Sequence, residues 1–500
     1  MFIGIDIGTQ GTKAVLTDRC GNIRAEAFCD SVLYRPDNIT VYEEPENIFN
    51  SVIAVIKQIM EKSKADKDDV KSICIDSQMA GIMGIDENFE PAIVLDSWLD
   101  SRCSEYTNLI KKEVGNEAIL SSGGQIIHSA GSKILWWKNE KPEAYQNVKK
   151  FVQPNGFVAG KLCGLNSDDA FMDYTFLHFN CFSDNLNKCF NKNLLKEFSI
   201  DDGKMPLIVD PKSIVGTVIP CFAEKCGLGD NVKVLAGCGD TAASSLGAGI
   251  TTEGQAYDVA GTASVFACCT KEFAPDVKNH TILYSRSVCD DLFLPLSYIS
   301  GGGLTLSWFS DLVQNGLKEL DILADNVPIG SNDIIFIPHF SGRTFPLDNN
   351  VTGAFLGLGA TSNKGSMYRS ILESIAFEYK YYLDILKSSG AIDDINVVYG
   401  VGGGAKSSIF SKIKADVLGC KYVSLSNADS APVAMALLGA KVLGYRNETL
   451  QEIFKNESEQ NTVHMSDNTA NKLYEEHSNR YIRLVNNYGD YFKLQNGGSI

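Results

Sequence analysis

The sequence has no long apolar run, no paired cysteines, no clustered histidines and a deficit of positive charge, and each shortage excludes a class of function. No stretch approaches the roughly 18–20 uninterrupted apolar residues that a membrane helix needs. The N-terminal apolar run is short, contains Asp6 and lacks a basic leader, so no secretory signal is expected. The 14 cysteines stand singly except for the adjacent Cys268 and Cys269, none forms a CxxC pair, and the 6 histidines do not gather near them. Neither a structural zinc nor a disulfide framework is expected, and reduced thiols in the cytoplasm fit better. Against 61 acidic residues stand 45 basic ones, a formal net charge of −16. That balance argues against nucleic acid and anionic membranes, both of which are gripped by clustered Lys and Arg. A small phosphorylated ligand remains open, because backbone amides and a metal ion hold phosphate without a basic surface.

What is present is an ordinary globular composition, 44% hydrophobic and 21% charged, over 500 residues. That length exceeds a single hydrophobic core, so two or more domains are expected. Ile3, Ile5 and Ile7 alternate with Gly4, Asp6 and Gly8 at strand period, and TKAVLT and IRAEAF follow as two further antiparallel strands. A helix is expected from Glu46 to about Lys62, with Ile48, Val52, Val55, Ile56 and Ile59 on one face and Pro45 ahead of it. A buried strand, VKSICID, then ends at Asp76 and runs into SQMAG. The second half repeats the theme. AYDVAGTASVFACC (256–269) reads as strand, glycine turn and strand, a helix is expected from about Lys364 to Lys387, and residues 395–419 read as strand, glycine loop and helix. Two halves that each open on a Gly-Thr hairpin suggest a duplicated α/β architecture, with a break near SLGAGITTEG (245–254).

Several segments have the chemistry of a site. FIGIDIGTQGTK is not a dinucleotide fingerprint, because its turn leads into a strand, nor a P-loop, because Thr12 separates Gly11 from Lys13. It is either a plain hairpin with a solvated Asp6 or a loop whose amides line a phosphate. In LAGCGDTAASSLG, Asp240 is either a helix N-cap or a carboxylate at a strand end where a ligand approaches. Gly261 and Thr262 repeat the turn of Gly8 and Thr9, which suggests two loops gripping one polyphosphate. Gly402, Gly403 and Gly404 permit close approach to a flat ligand, beside a helix start near Ser407 that favours an anionic group. Gln78 and Met79, with Trp98, Asp100 and Arg102, make a polar and aromatic set suited to a sugar, or else ordinary packing and a surface ion pair.

Together these segments resemble one family over most of the chain, the FGGY carbohydrate kinases of the sugar kinase, heat-shock chaperone and actin superfamily. GIDIGTQGTK resembles the family's first phosphate loop, GTASVF its second, GCGDTAASSLG the segment with its catalytic aspartate, and GGGAKSSIFSKIKADVLG its adenosine motif. QMAG, SWLDSRC and ILWWKNEKPE are most similar to the xylulokinase branch. The resemblance implies an α/β fold of two ribonuclease H-like domains around a central cleft. Residues 1–247 would hold the sugar site, the first phosphate loop and the catalytic aspartate; residues 248–500 would hold the second phosphate loop and the adenosine site. It implies a MgATP-dependent phosphotransferase acting on a small sugar, a ketopentose such as xylulose being the expected acceptor. By the same resemblance Asp240 is the base and Asp6 the Mg²⁺-holding residue. Gln78, Met79, Ala80, Trp98, Asp100 and Arg102 join Asp240 around the sugar. Gly8, Thr9, Gln10, Gly11, Thr12, Lys13, Gly261 and Thr262 would line the phosphates, with Gly302, Gly403, Gly404, Ala405 and Ser407 completing the nucleotide site. An aspartate at its usual pKa of about 3.9 is a weak base for an alcohol, which a loose transition state tolerates.

The chain departs from that pattern in places. Xylulokinases usually read QMHG, where this sequence has Ala80, and losing a polar group matters because hydrogen-bonded readout discriminates sugars most strongly. Asn155 and Gly156 replace a usual lysine-aspartate pair, and Pro432 stands in NADSAPVAMALLGA where relatives run on as helix. Another ketose, a polyol or an aldonate is therefore an alternative acceptor. An ATP-binding regulatory protein without turnover is the alternative of another class. A dehydrogenase lacks its Rossmann loop, and a two-carboxylate glycosidase leaves both Gly-Thr loops unexplained. Oligomeric state is not legible in the sequence, a homodimer being one assembly open to it.

Overall fold

The computed structural model describes residues 1–426, 430–455 and 458–495. The chain forms two compact units. The first comprises Met1–Thr251, Tyr284–Phe293 and Asp429–Lys455; the second comprises Thr252–Leu283, Leu294–Ala428 and Asn456–Ile500. No helix among the described residues is long and apolar enough to cross a membrane.

The first unit is built on a mixed sheet whose strand order is Ile214–Thr217, Lys233–Leu235, Ser72–Ser77, Phe2–Ile7, Gly11–Thr17, Ile23–Asp30, with Cys238–Gly239 also pairing Ser72–Ser77. Phe2–Ile7 runs antiparallel to Gly11–Thr17 and parallel to Ser72–Ser77, in a register that sets Asp6 beside both Lys13 and Asp76. The expected helix is Pro45–Ser63, one residue longer at each end. Pro45 pre-sets its first turn, Glu46 suits the N-terminal dipole, and Lys64 ends it in the left-handed region. Its apolar face, Ile48, Val52, Val55, Ile56 and Ile59, packs into a core with Ile3, Ile5 and Ile7 of the first strand.

The helix Ser430–Val442 belongs to this unit although it lies far along the chain. Gly4 makes room for it: a Cβ there would stand 1.7 Å from the Pro432 carbonyl oxygen. Phe2, Ala436 and Ala440 fill the contact. Pro432 interrupts nothing, because it lies in the first turn, where a missing N–H is tolerated. The three residues before the helix, 427–429 of NADSAPVAMALLGA, lie outside the described residues.

The second unit repeats the hairpin. Gln255–Ala260 pairs antiparallel with Ser264–Cys268 and parallel with Val397–Val401, and the sheet continues through Lys421–Ser424 to Thr462–His464. The helix Lys364–Ser388, expected to end near Lys387, starts from a capping box of Asn363 and Ser366. Beneath this hairpin lies a buried polar cluster. Asp258 accepts from the Tyr379 hydroxyl at 2.7 Å and the Tyr422 hydroxyl at 2.6 Å, and forms an ion pair with Lys414. Both charged side chains are fully buried.

Candidate active site

The turn between the first two strands is closed by the Gly8 amide on the Gly11 carbonyl at 3.0 Å. Gly11 has no room for a side chain, since a Cβ would fall 2.3 Å from the Phe28 ring. Gln10 is exposed at the tip, and its carbonyl accepts from the Ser31 amide at 3.0 Å. Thr12 points inward and shares a 2.6 Å hydrogen bond with Ser51, so its backbone, not its hydroxyl, faces the turn. Lys13 stands 4.0 Å from Glu26.

Three carboxylates act on one another in this unit. Asp6 is half-buried. Asp240 is the first residue of the helix Asp240–Gly247, and the N-cap position is Gly239, with no side-chain cap. The capping explanation for Asp240 is thereby removed. Its Oδ1 accepts from the Thr241 hydroxyl at 3.1 Å. Burial first, and then the Asp6 charge, push its carboxyl up to about 7. This corrects the expectation of an ordinary, weakly basic aspartate. The third member is Asp76, which in sequence is only the end of a strand. It is fully buried, and burial first, then the Asp6 and Asp240 charges, hold its carboxyl well above the usual range. Among the described residues no three His, Cys, Asp or Glu side chains form a ready metal cage. The donor set nonetheless suits Mg²⁺, which takes one or two carboxylates and keeps its waters.

A hydrogen-bonded chain links the expected sugar residues to the turn. The Trp98 indole donates to Thr9 Oγ1 at 2.9 Å, Thr9 donates to Gln78 Oε1 at 3.2 Å, and Gln78 Nε2 donates to Glu43 at 2.6 Å. Trp98 is 46% exposed and keeps a free face, whereas Gln78 and Glu43 are buried. Nothing in the local sequence marks Glu43. Burial pushes its carboxyl up to about 7 against the opposing bond from Gln78. Met79 packs with Met172, Tyr174, Phe176 and Leu177, and presses on Gly239, where a Cβ would lie 2.4 Å from its methyl. Ala80 is buried with φ of 61°, a left-handed conformation that non-glycine residues seldom adopt. Asp100 is buried and its oxygens accept from the Val41 and Arg102 amides and from Arg102 Nε. Arg102 is held between Asp96 and Asp100 and stacks 4.2 Å over Trp136. It is a part-buried clamp on two buried carboxylates rather than a surface ion pair.

A second network, equally silent in sequence, fixes the segment that carries Asp240. Gly239 donates its amide to Thr175 Oγ1 at 2.9 Å, Thr175 donates to Asp173, and Asn155 bridges Asp173 Oδ2 at 3.3 Å, the Ala236 carbonyl at 3.1 Å and Ser77. The departure at Asn155 thus has a structural use. Gly156 does too, since a Cβ there would approach the Phe171 carbonyl to 2.5 Å.

In the second unit Gly302, Gly402 and Gly404 pack against the hairpin that carries Gly261 and Thr262. The Leu304 amide donates to the Thr262 carbonyl at 3.0 Å. A Cβ on Gly302 would meet Ser264 Oγ at 2.0 Å, and one on Gly303 would meet the Gly261 carbonyl at 1.9 Å. Gly402 turns with φ of 89° against the Ala260 carbonyl, and Gly404 packs on Ala260, but a Cβ on Gly403 would meet nothing within 4 Å. Ala405 is buried, and Ser407 caps the helix Ser408–Leu418 by accepting from the Phe410 amide. The glycine loop therefore has one open face beside a helix start.

Family models decide what this set of parts belongs to. Residues 1–247 match the N-terminal domain, and residues 258–443 the C-terminal domain, of the FGGY family of carbohydrate kinases. The chain belongs to that family. As an FGGY kinase it has the two-domain mixed α/β fold of the sugar kinases and is a phosphotransferase acting on a sugar hydroxyl. It is 24% identical to a xylulose kinase of Bacillus subtilis, over 90% of this chain and 89% of that one. It is 25% identical to a gluconokinase of the same organism, over 89% of this chain and 88% of that one. Among solved structures, a ligand-bound xylulose kinase from Lactobacillus acidophilus superposes with a TM-score of 0.89 at 21% identity, covering 98% of this chain and 99% of that one. Relatives with different acceptors thus stand at equal distance from this FGGY member.

Proposed function

We propose that the chain transfers the γ-phosphate of MgATP to a hydroxyl of a small sugar, with a ketopentose of the xylulose type as the acceptor, in the cytoplasm. The observation that carries this is Asp240, a helix-start carboxylate not used as a cap and raised to about 7. A carboxylate near 7 is a far better match to an alcohol proton at neutral pH than one near 3.9. Asp240 accepts the proton of the attacking hydroxyl and orients that oxygen. Gln78, Met79, Ala80, Trp98, Asp100 and Arg102 form the acceptor side in residues 1–247. Trp98 supplies an apolar face for sugar C–H groups, Gln78 a polar readout, and Asp100 holds Arg102 in place. The amides of Gly8, Thr9, Gln10, Gly11 and Thr12, with Lys13, receive the phosphates. Gly261, Thr262, Gly302, Gly403, Gly404, Ala405 and Ser407 in residues 248–500 receive the remainder of the nucleotide, with the open face at Gly403 against the adenosine. Asp6 holds Mg²⁺ through its waters, and the ion when bound neutralises charge on the transferring phosphoryl group.

Support for the ketopentose comes from relatives named xylulose kinase, while those named gluconokinase support an aldonate as the second reading. Ala80, where the xylulokinase branch has a histidine, keeps both readings in play. The test is ADP release with MgATP across ketoses, polyols and aldonates. Acceptor-dependent release by the wild type is expected, with the strongest acceptor naming the substrate. Asp240→Ala is expected to keep nucleotide binding and lose about 10²–10⁴ in turnover. Near-normal turnover in that variant contradicts the role of Asp240, and no acceptor dependence over the panel favours a regulatory ATP-binding protein.

A further inference from the structure

Trp98, Thr9, Gln78 and Glu43 are joined end to end by hydrogen bonds, and the chemistry of the first link sets the direction of the rest. An indole N–H can only donate, so the Thr9 hydroxyl that accepts it at 2.9 Å directs its own proton elsewhere. That proton goes to Gln78 at 3.2 Å, which requires the Gln78 carbonyl oxygen, not its NH₂, to face Thr9. The Gln78 NH₂ then points the other way and donates to Glu43 at 2.6 Å. An ionised carboxylate only accepts, so the far end of the chain demands the same amide orientation as the near end.

The four residues come from two sheets of the first unit. Thr9 and Gln78 lie just past the ends of Phe2–Ile7 and Ser72–Ser77, neighbours in the main sheet, and the Gln78 backbone amide donates to the Ile7 carbonyl at 2.8 Å. Glu43 ends the short strand Tyr42–Glu43 opposite Leu95 of Pro91–Asp96, and Trp98 lies just beyond that partner strand. The chain thus ties the Gly-Thr turn to an exposed indole, with Glu43 at its buried end. Packing alone does not call for an acid there, because a glutamine fills the same space without a charge to bury. What the carboxylate adds is a stronger, one-way acceptor for the Gln78 amide.

We propose that Glu43 is a positioning residue for the sugar acceptor: by holding the Gln78 amide in one orientation it sets, through Thr9, the rotation of Trp98 and the pair of groups that Gln78 offers a sugar. The identity of the ligand rests on the kinase reading; the positioning of Trp98 does not. An amide has two N–H groups and two carbonyl lone pairs. Thr9 takes one lone pair and Glu43 one N–H, which leaves Gln78 one donor and one acceptor in fixed places. A flipped amide exchanges the two and sets its NH₂ against the hydroxyl that receives the indole. With a methyl at Ala80, the fixed pair on Gln78 carries more of the sugar readout.

The chain can be read without substrate from the indole N–H resonances of the full-length protein labelled with ¹⁵N-tryptophan. The 4 tryptophans are Trp98, Trp136, Trp137 and Trp308, and the signal lost in Trp98→Phe assigns Trp98. Glu43→Leu is expected to shift the Trp98 signal and hasten its exchange with solvent while the other signals stay in place. Glu43→Gln, which keeps an acceptor carbonyl, is expected to restore most of it. In turnover with MgATP and xylulose or gluconate, whichever the wild type phosphorylates, Glu43→Leu is expected to raise the acceptor KM about 5–10-fold, the loss of one buried hydrogen bond, with kcat little changed. A merely structural role lowers stability without singling out Trp98 or the acceptor KM. A Trp98 signal or an acceptor KM unmoved in Glu43→Leu overturns the proposal. If Glu43→Leu does not fold, Glu43→Asp, which keeps the acid and withdraws it by one methylene, takes its place with the same two readings. An unmoved Trp98 signal in a protein that phosphorylates its acceptor defeats this inference and leaves the kinase reading standing. A moved signal in a protein without acceptor-dependent ADP release upholds the positioning of Trp98 and removes the kinase reading.

Discussion

The two hairpins of this chain share a backbone plan and differ in how each handles a buried acid. In both, a strand ends in a Gly-Thr turn, returns antiparallel, and is flanked on its other side by a parallel strand. In the second unit Asp258 is locked by a lysine and two tyrosines. In the first, Asp6, Asp76 and Asp240 act on one another, and burial first, then like charge, raises the last two. The same turn chemistry thus supports an aspartate braced by a lysine and two tyrosines in one place and a group of mutually repelling carboxylates in the other.

The same substitution at the two sites is therefore expected to act with opposite sign. Asp258→Asn leaves Lys414 buried without its counter-charge and is expected to lower stability in denaturant titration by about 3–5 kcal/mol. Asp76→Asn removes a buried carboxyl that burial and the Asp6 and Asp240 charges hold well above the usual range, so the cost of keeping it protonated at neutral pH disappears and stability there is expected to rise by about 1–3 kcal/mol. Destabilisation of similar size at both positions breaks the contrast. A smaller effect sharpens it at Glu43, whose folded carboxyl is raised to about 7 by burial. A carboxyl raised on folding stabilises fully below its unfolded pKa, and that contribution is lost as pH rises through the folded value. Stability is thus expected to fall on the order of 2 kcal/mol between about pH 4.5 and 7, a slope that Glu43→Gln flattens. Melting temperature against pH for the two proteins checks this, and parallel curves contradict it.

The hairpins, the Pro45–Ser63 helix and the glycine loop were legible because their information is local: strand alternation, a proline at a helix start, glycines where Cβ atoms do not fit. The family motifs were legible for the same reason. What stayed hidden depends on partners distant in sequence. Asp76 reads as the end of an ordinary apolar strand until register sets it beside Asp6. Lys414 is 156 residues from Asp258, and nothing in either stretch announces the pair. Asn155, Asp173 and Thr175 brace the Asp240 segment from a helix start, a short strand and the 3₁₀ turn after it, which look unremarkable in sequence. The weak-base expectation for Asp240 failed because burial and the Asp6 charge are properties of the fold. The return of Asp429–Lys455 to the first unit was invisible for the same reason, although Gly4 marks where the helix lands.

The central claim is transfer of phosphate to an acceptor hydroxyl, and ³¹P nuclear magnetic resonance of the chain incubated with MgATP and each acceptor reads that product directly. The account predicts a phosphate monoester of one acceptor class appearing together with ADP in the wild type and absent with Asp240→Ala. ADP accompanied only by inorganic phosphate, whichever acceptor is present, contradicts it.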